Sequence, residues 1–99
     1  MTIEVITEFL RLATVRVRAS IYDDDGALVN PTTSITIDIW DSEGTKQEDG
    51  TAMDSVSTGI YEFFYNLAAD SVAGNWRGIV WVVDGTKTSE FSFGFKVKV

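Results

Sequence analysis

The sequence predicts an all-β chain, one domain folded as an antiparallel β-sandwich of about seven strands. Three observations predict it. Period-two alternation of apolar and polar residues recurs along the 99 residues, no segment sustains a helical apolar period, and turn residues break the runs about every ten positions. A chain of this length suits a single domain and can bury roughly two-thirds of its unfolded surface, enough for one core.

The first dozen residues are ambiguous. Ile3 and Val5 alternate, but Ile6, Phe9, Leu10 and Leu12 break the register, so residues 1–12 form an edge strand, a bent strand crossing between sheets, or an arm that needs a partner. Thr14 to Tyr22 is the clearest strand, with Val15, Val17, Ala19 and Ile21 on one side and Arg16, Arg18 and Ser20 on the other. Asp23-Asp-Asp-Gly26 supplies turn residues, and Asn30-Pro31 restricts the loop that follows. Ser34 to Trp40 is the third strand, with Ile35, Ile37 and Ile39 inward. Asp41-Ser-Glu-Gly44 is a second turn, leading through polar residues 45–50 to a minor strand around Ala52 to Val56. From Gly59 the alternation returns, with Tyr61, Phe63, Tyr65 and Leu67 on one face and Glu62, Phe64 and Asn66 on the other. Trp76 to Val83 and Glu90 to Val99 form a hairpin across Asp84-Gly-Thr-Lys87, because Asp-Gly between alternating runs is a strong hairpin signal. In the last strand Phe91, Phe93, Phe95, Val97 and Val99 point inward.

Composition excludes several classes of function. Net charge is −7, from 15 acids against 8 bases, which repels a phosphate backbone and argues against nucleic acid as a partner. No apolar run approaches the roughly 20 residues of a membrane helix, so no membrane partner is expected. Met1-Thr-Ile-Glu-Val lacks the basic start and apolar stretch of a secretory signal; it reads as a complete intracellular product, synthesised in the cytoplasm, or as a piece of something longer. Histidine and cysteine are both absent, which removes the commonest general base, the thiol nucleophile and most transition-metal ligation. The acids crowd turns, where water keeps them ionised, so no enzyme and no cofactor are expected. Asp23 to Asp25 invite a calcium reading, but an EF-hand loop ending at Asp25-Gly26 would need Asp or Asn at Ile21. Only a looser site shared with Asp54 or Asp84 stays open, and a plain turn is the expectation.

The aromatic residues carry the functional reading. Trp76 shares its alternate positions with Gly78, Val80 and Val82 and is expected in the core, against the aromatic row of the last strand. If Ile39 and Val80 point inward, Trp40 and Trp81 point outward, with Ile79 and Val83 beside Trp81. In a sandwich whose third strand and last two share a sheet, the two rings could be neighbours. Trp40, Ile79, Trp81 and Val83 then form an apolar interaction surface bordered by Ser92, Gly94 and Lys96. Three occupants suit it: a second copy, which ranks first, another structural protein, or a glycan stacked on the rings with Thr36, Asp38 and Arg77 as modest polar grips.

Tyr61, in Ser57-Thr-Gly-Ile-Tyr-Glu-Phe63, resembles the tyrosine corner of immunoglobulin-type sandwiches, although it opens the third-last strand instead of the second-last. Together with Asp24-x-Gly26, Asn30-Pro-Thr-Thr33, the Ile-Thr-Ile-Asp-Ile run, Asp41-x-x-Gly44, Thr58-Gly-Ile-Tyr61 and Gly74-Asn-Trp76, it gives a wider likeness. Over roughly residues 14–99 the chain resembles small immunoglobulin-like modules encoded among structural genes of tailed bacteriophages and prophages, with similar sandwiches in bacterial surface proteins. The resemblance implies an immunoglobulin-like fold and a non-enzymatic component of a virion or surface assembly, with no catalytic residues to transfer. Two positions depart from the phage-type pattern: Ser42 stands where proline is common, and Trp40 where the residue is usually polar.

Overall fold

The computed structural model describes residues 1–9, 14–68 and 71–98, and among these it is all-β, with two antiparallel sheets of four strands each. The strands are β1 (Thr2–Phe9), β2 (Thr14–Tyr22), β3 (Ser34–Trp40), β4 (Lys46–Ala52), β5 (Asp54–Ser57), β6 (Ile60–Asn66), β7 (Gly74–Asp84) and β8 (Lys87–Val97). One sheet has the order β1-β2-β6-β5 and the other β4-β3-β7-β8. The third strand and the last two therefore share a sheet.

The inward rows make the core between the sheets. Val15, Val17, Ala19 and Ile21 of β2 are fully buried, and so are Ile37, Ile39, Val80 and Val82 of the opposite sheet. Burying each large aliphatic side chain in this set is worth about 1.5–3 kcal/mol. Trp76 is buried too, as its alternation predicts, with its indole N–H donating to the Val72 carbonyl at 2.9 Å and its ring against Tyr65 and Phe95. Gly78 makes room for a further ring, since a Cβ there would overlap Phe93.

Residues 2–9 settle the ambiguity at the start of the chain. They pair with β2 in unbroken register from Thr2↔Tyr22 to Phe9↔Val15, as an edge strand with Ile3 buried; residues 10–12 lie outside the described part. The strand missed in sequence is β4, most of which reads there as a polar connection over residues 45–50. Lys46–Ala52 has no buried residue, and two register shifts interrupt its pairing with β3, so neither a core face nor a regular alternation marks it. With β5 this makes eight strands among the described residues, in place of about seven.

The inward row of the last strand is only partly covered. Phe95 and Val97 are buried and Phe93 packs partly against the core, but Phe91 is 36% exposed, and Val99 lies outside the described residues. The reason is position: β8 is a sheet edge, stacked beside β1, the edge of the other sheet. Side chains on its inner face look partly into the gap between the two edges.

Two turns are built alike. Asp23 Oδ1 accepts from the backbone N–H groups of Asp25 and Ala27, and Asp41 Oδ1 accepts from those of Glu43 and Thr45. In each, the glycine N–H returns to the aspartate carbonyl, Gly26 to Asp23 and Gly44 to Asp41. The spacing Asp-x-x-Gly is thus a loop that closes on its own carboxylate. Asn30-Pro-Thr-Thr33 ties neighbouring loops together. Asn30 Oδ1 accepts from the Gly59 N–H at 2.7 Å and the Tyr61 hydroxyl at 3.3 Å. Thr32 donates to Asp84 through both its N–H and its hydroxyl, and Thr33 Oγ1 accepts from the Gly85 N–H. Tyr61 therefore fixes a distant loop through a side chain, where a tyrosine corner would bond a nearby backbone group. Ser42 Oγ donates to the Ala73 carbonyl at 2.7 Å.

Candidate functional site

Trp40, Ile79, Trp81 and Val83 all lie on the outer face of the β4-β3-β7-β8 sheet, and each is half-buried. The two indoles are not neighbours. The register sets Thr36 opposite Trp81 and Trp40 opposite Arg77, with the pair Asp38↔Ile79 between them. Four residues along a strand is about 13 Å, too far for the rings to touch. The sequence expectation of adjacent rings fails because both belong to antiparallel strands whose offset no single-strand pattern reveals.

Around Trp81 the face is organised by a carboxylate. Asp38 is 7% exposed although it sits on the outer face. Its Oδ1 accepts from the Gly50 N–H at 2.6 Å, its Oδ2 accepts from the Trp81 indole N–H at 2.9 Å, and Lys46 Nζ stands 3.8 Å away. The indole thereby covers the carboxyl group and supplies one of its donors. A buried carboxylate needs such partners, since an unpaired one is strongly penalised.

Around Trp40 the face is cationic. The Arg77 guanidinium lies 4.3 Å from the ring centroid and Lys46 Nζ 5.1 Å from it, one from each strand flanking β3. Both distances are within cation–π range. Lys46 is further held by Asp49 at 2.9 Å, and that hydrogen bond, with Asp38 nearby, raises the ammonium above its ordinary pKa. Arg77 is exposed and has no carboxylate partner among the described residues. The outward polar alternation of β3 thus ends on an aromatic slab that two cations use as a platform.

Arg77 appeared in sequence only as a modest grip for a sugar, and Lys46 did not appear at all. Lys46 reaches Trp40 through the irregular β3–β4 pairing, which left no periodic signal. The most exposed apolar side chains lie elsewhere. Ile6, at 65%, and Phe64, at 44%, sit on the outer face of the β1-β2-β6-β5 sheet, while Phe9, at 47%, lies beside Phe95 at the β1–β8 flank. Three of the aspartates considered for calcium are engaged otherwise: Asp23 closes its own turn, Asp24 pairs with the amino terminus at 2.7 Å, and Asp84 binds Thr32. Among the described residues no three acidic side chains converge as a metal site would require. Compared with known proteins, the chain matches no family model and no curated sequence.

Proposed function

We propose that the chain is a non-catalytic interaction module, an immunoglobulin-like sandwich of a phage, prophage or cell-surface assembly. It docks another structural protein through the outer face of the β4-β3-β7-β8 sheet around Trp40 and Arg77. The observation that carries this reading is the exposed Arg77 guanidinium stacked on Trp40, with no carboxylate partner among the described residues. Tryptophan and arginine dominate the energetic centres of protein contacts, and stacking holds this guanidinium ready for a carboxylate. A second copy laid on this face by two-fold symmetry would bring Arg77 and Lys46 toward their own mates, so a partner bearing acids is the better occupant.

The strand order supports the immunoglobulin-like assignment. Strands one, two, six and five oppose three, seven and eight, the grouping of constant-type immunoglobulin domains, with β4 added beside β3. The lack of histidine and cysteine supports a non-catalytic role. A glycan is the weaker occupant, because two cations already lie over the ring on which a sugar would stack.

A photo-crosslinking amino acid at position 79 of the full chain, irradiated in the producing cells or particles, tests the proposal. The expected adduct is with a structural protein, and it disappears in the Trp40→Ala/Arg77→Ala variant. No adduct, an adduct only with a second copy, or glycan binding that quenches tryptophan emission on an array would each overturn it.

A further inference from the structure

We propose that β8 is the pairing edge of a homodimer, in which two copies join β8 to β8 antiparallel about a two-fold axis through Phe93, merging their four-stranded sheets into one. This goes beyond the proposed function, uses a different surface, and stands or falls separately.

The edge is unusually open. β8 ends its sheet, runs 11 residues, and pairs with β7 at every position from Asp84↔Lys87 to Gly74↔Val97 with no register shift. Long, regular edges invite a further strand unless something blocks them. The flank formed by β4 and β5 is blocked: β4 is interrupted by two register shifts, with Gly50 at φ 63°, and β5 has only four residues. Glu4 and Glu8, on alternate positions of β1, set acid against acid when that edge meets its own copy about Ile6. Nothing comparable interrupts β8.

Hydrogen-bond parity selects the residues that would pair. The two-residue turn Gly85-Thr86 makes Asp84↔Lys87 a hydrogen-bonded pair, and such pairs alternate along an antiparallel ladder. The backbone N–H and C=O groups of Thr88, Glu90, Ser92, Gly94 and Lys96 therefore point away from β7, toward the open edge.

A two-fold axis through Phe93 pairs these groups with one another. It sets Ser92 opposite the partner's Gly94 and Glu90 opposite the partner's Lys96, twice over by symmetry. On the inner face it sets Phe93 opposite its own mate and Phe91 opposite the partner's Phe95. Shifting the axis to Ser92 preserves the hydrogen bonds but puts Glu90 against glycine, losing both charge pairs. Opposite charges and aromatic pairs directly across strands are the contacts that stabilise a register.

The exposed apolar residues lie where this dimer would cover them. Phe91 is 36% exposed on the inner side of β8, and Phe9, at 47%, sits beside Phe95 where the two sheet edges approach. A second copy continues the core across that flank.

Sedimentation equilibrium of the full chain over a concentration series tests the proposal. A monomer–dimer equilibrium is expected. Ser92→Pro removes an edge-facing donor that β7 does not use, and is expected to abolish the dimer while leaving the far-ultraviolet circular dichroism unchanged. Glu90→Lys is expected to weaken the dimer about tenfold or more, and adding Lys96→Glu to restore it. A chain that stays monomeric at its highest soluble concentration overturns the proposal. So does a dimer indifferent to Ser92→Pro and to the charge swap, and so does one lost on Trp40→Ala, which would put the contact on the sheet face.

Discussion

The indole N–H of Trp81 donates to Oδ2 of Asp38 at 2.9 Å, joining β7 to β3 on the outside of the sandwich. An aromatic side chain on a solvent-facing row therefore has an internal partner. Asp38→Ala removes that bond, the 2.6 Å bond to the Gly50 N–H and the Lys46 ion pair together. The expected loss is about 2–4 kcal/mol, because hydrogen bonds to charged groups are worth about 1.5–3 kcal/mol each and are not additive. Trp81→Phe keeps an aromatic side chain but loses the donor and part of the indole's area, at about 1–2 kcal/mol or more. Urea unfolding of both variants and the double variant gives the coupling. Strict additivity would show that the bond contributes nothing of its own.

Acid should weaken the fold through a small set of aspartates. Burial alone would raise the Asp41 pKa, but hydrogen bonds from Thr45, Gln47, Glu43 and Gly44 outweigh it and hold the carboxyl below its usual value. At Asp84 the hydrogen bonds from Thr32 act in the same direction. Folded values below the unfolded value of about 4 mean that the unfolded chain binds more protons in the interval between them. The contribution is complete above about pH 4 and is lost as pH falls through the depressed folded values. Asp41→Asn is expected to lower the urea midpoint at pH 7 and to flatten its decline with acid. An unchanged acid slope would exclude Asp41 as a source.

The close approach of Phe93 to Gly78 gives a third test. A Cβ at position 78 would overlap the ring and come within 3.0 Å of the Asp38 carbonyl oxygen. Gly78→Ala should cost about 1–3 kcal/mol, the usual range for overpacking. Removing the ring as well, in Gly78→Ala/Phe93→Ala, should cost less than the sum of the single changes. Additive costs would mean that the backbone contact, not the ring, sets the penalty.

Residues with one buried face were legible in sequence. In β2 and β3 the alternation follows from a wet side and a dry side, and the inward residues were read correctly from Val15 to Ile21 and from Ile35 to Ile39. Lys46-Gln-Glu-Asp-Gly-Thr-Ala52 has no dry side, so a strand defined only by its neighbour's hydrogen bonds left no mark. The position of Trp40 on the outer face was also readable. Its companions were not: Arg77 meets it through the β3–β7 register, and Lys46 through an irregular pairing. For the same reason Asp38 appeared only as a modest polar grip for a sugar, though tertiary contacts enclose it. Phe91 was placed inward correctly by parity, but parity says nothing about whether the opposite wall extends far enough to cover it.

The shifts in β4 and the brevity of β5 have a consequence for the size any assembly can reach. In the dimer proposed above, strand addition uses one side of the molecule, and the β4–β5 side stays closed. A building block with a single such valence terminates after one joining event, so its product has a fixed stoichiometry, whereas two open sides would permit an endless filament.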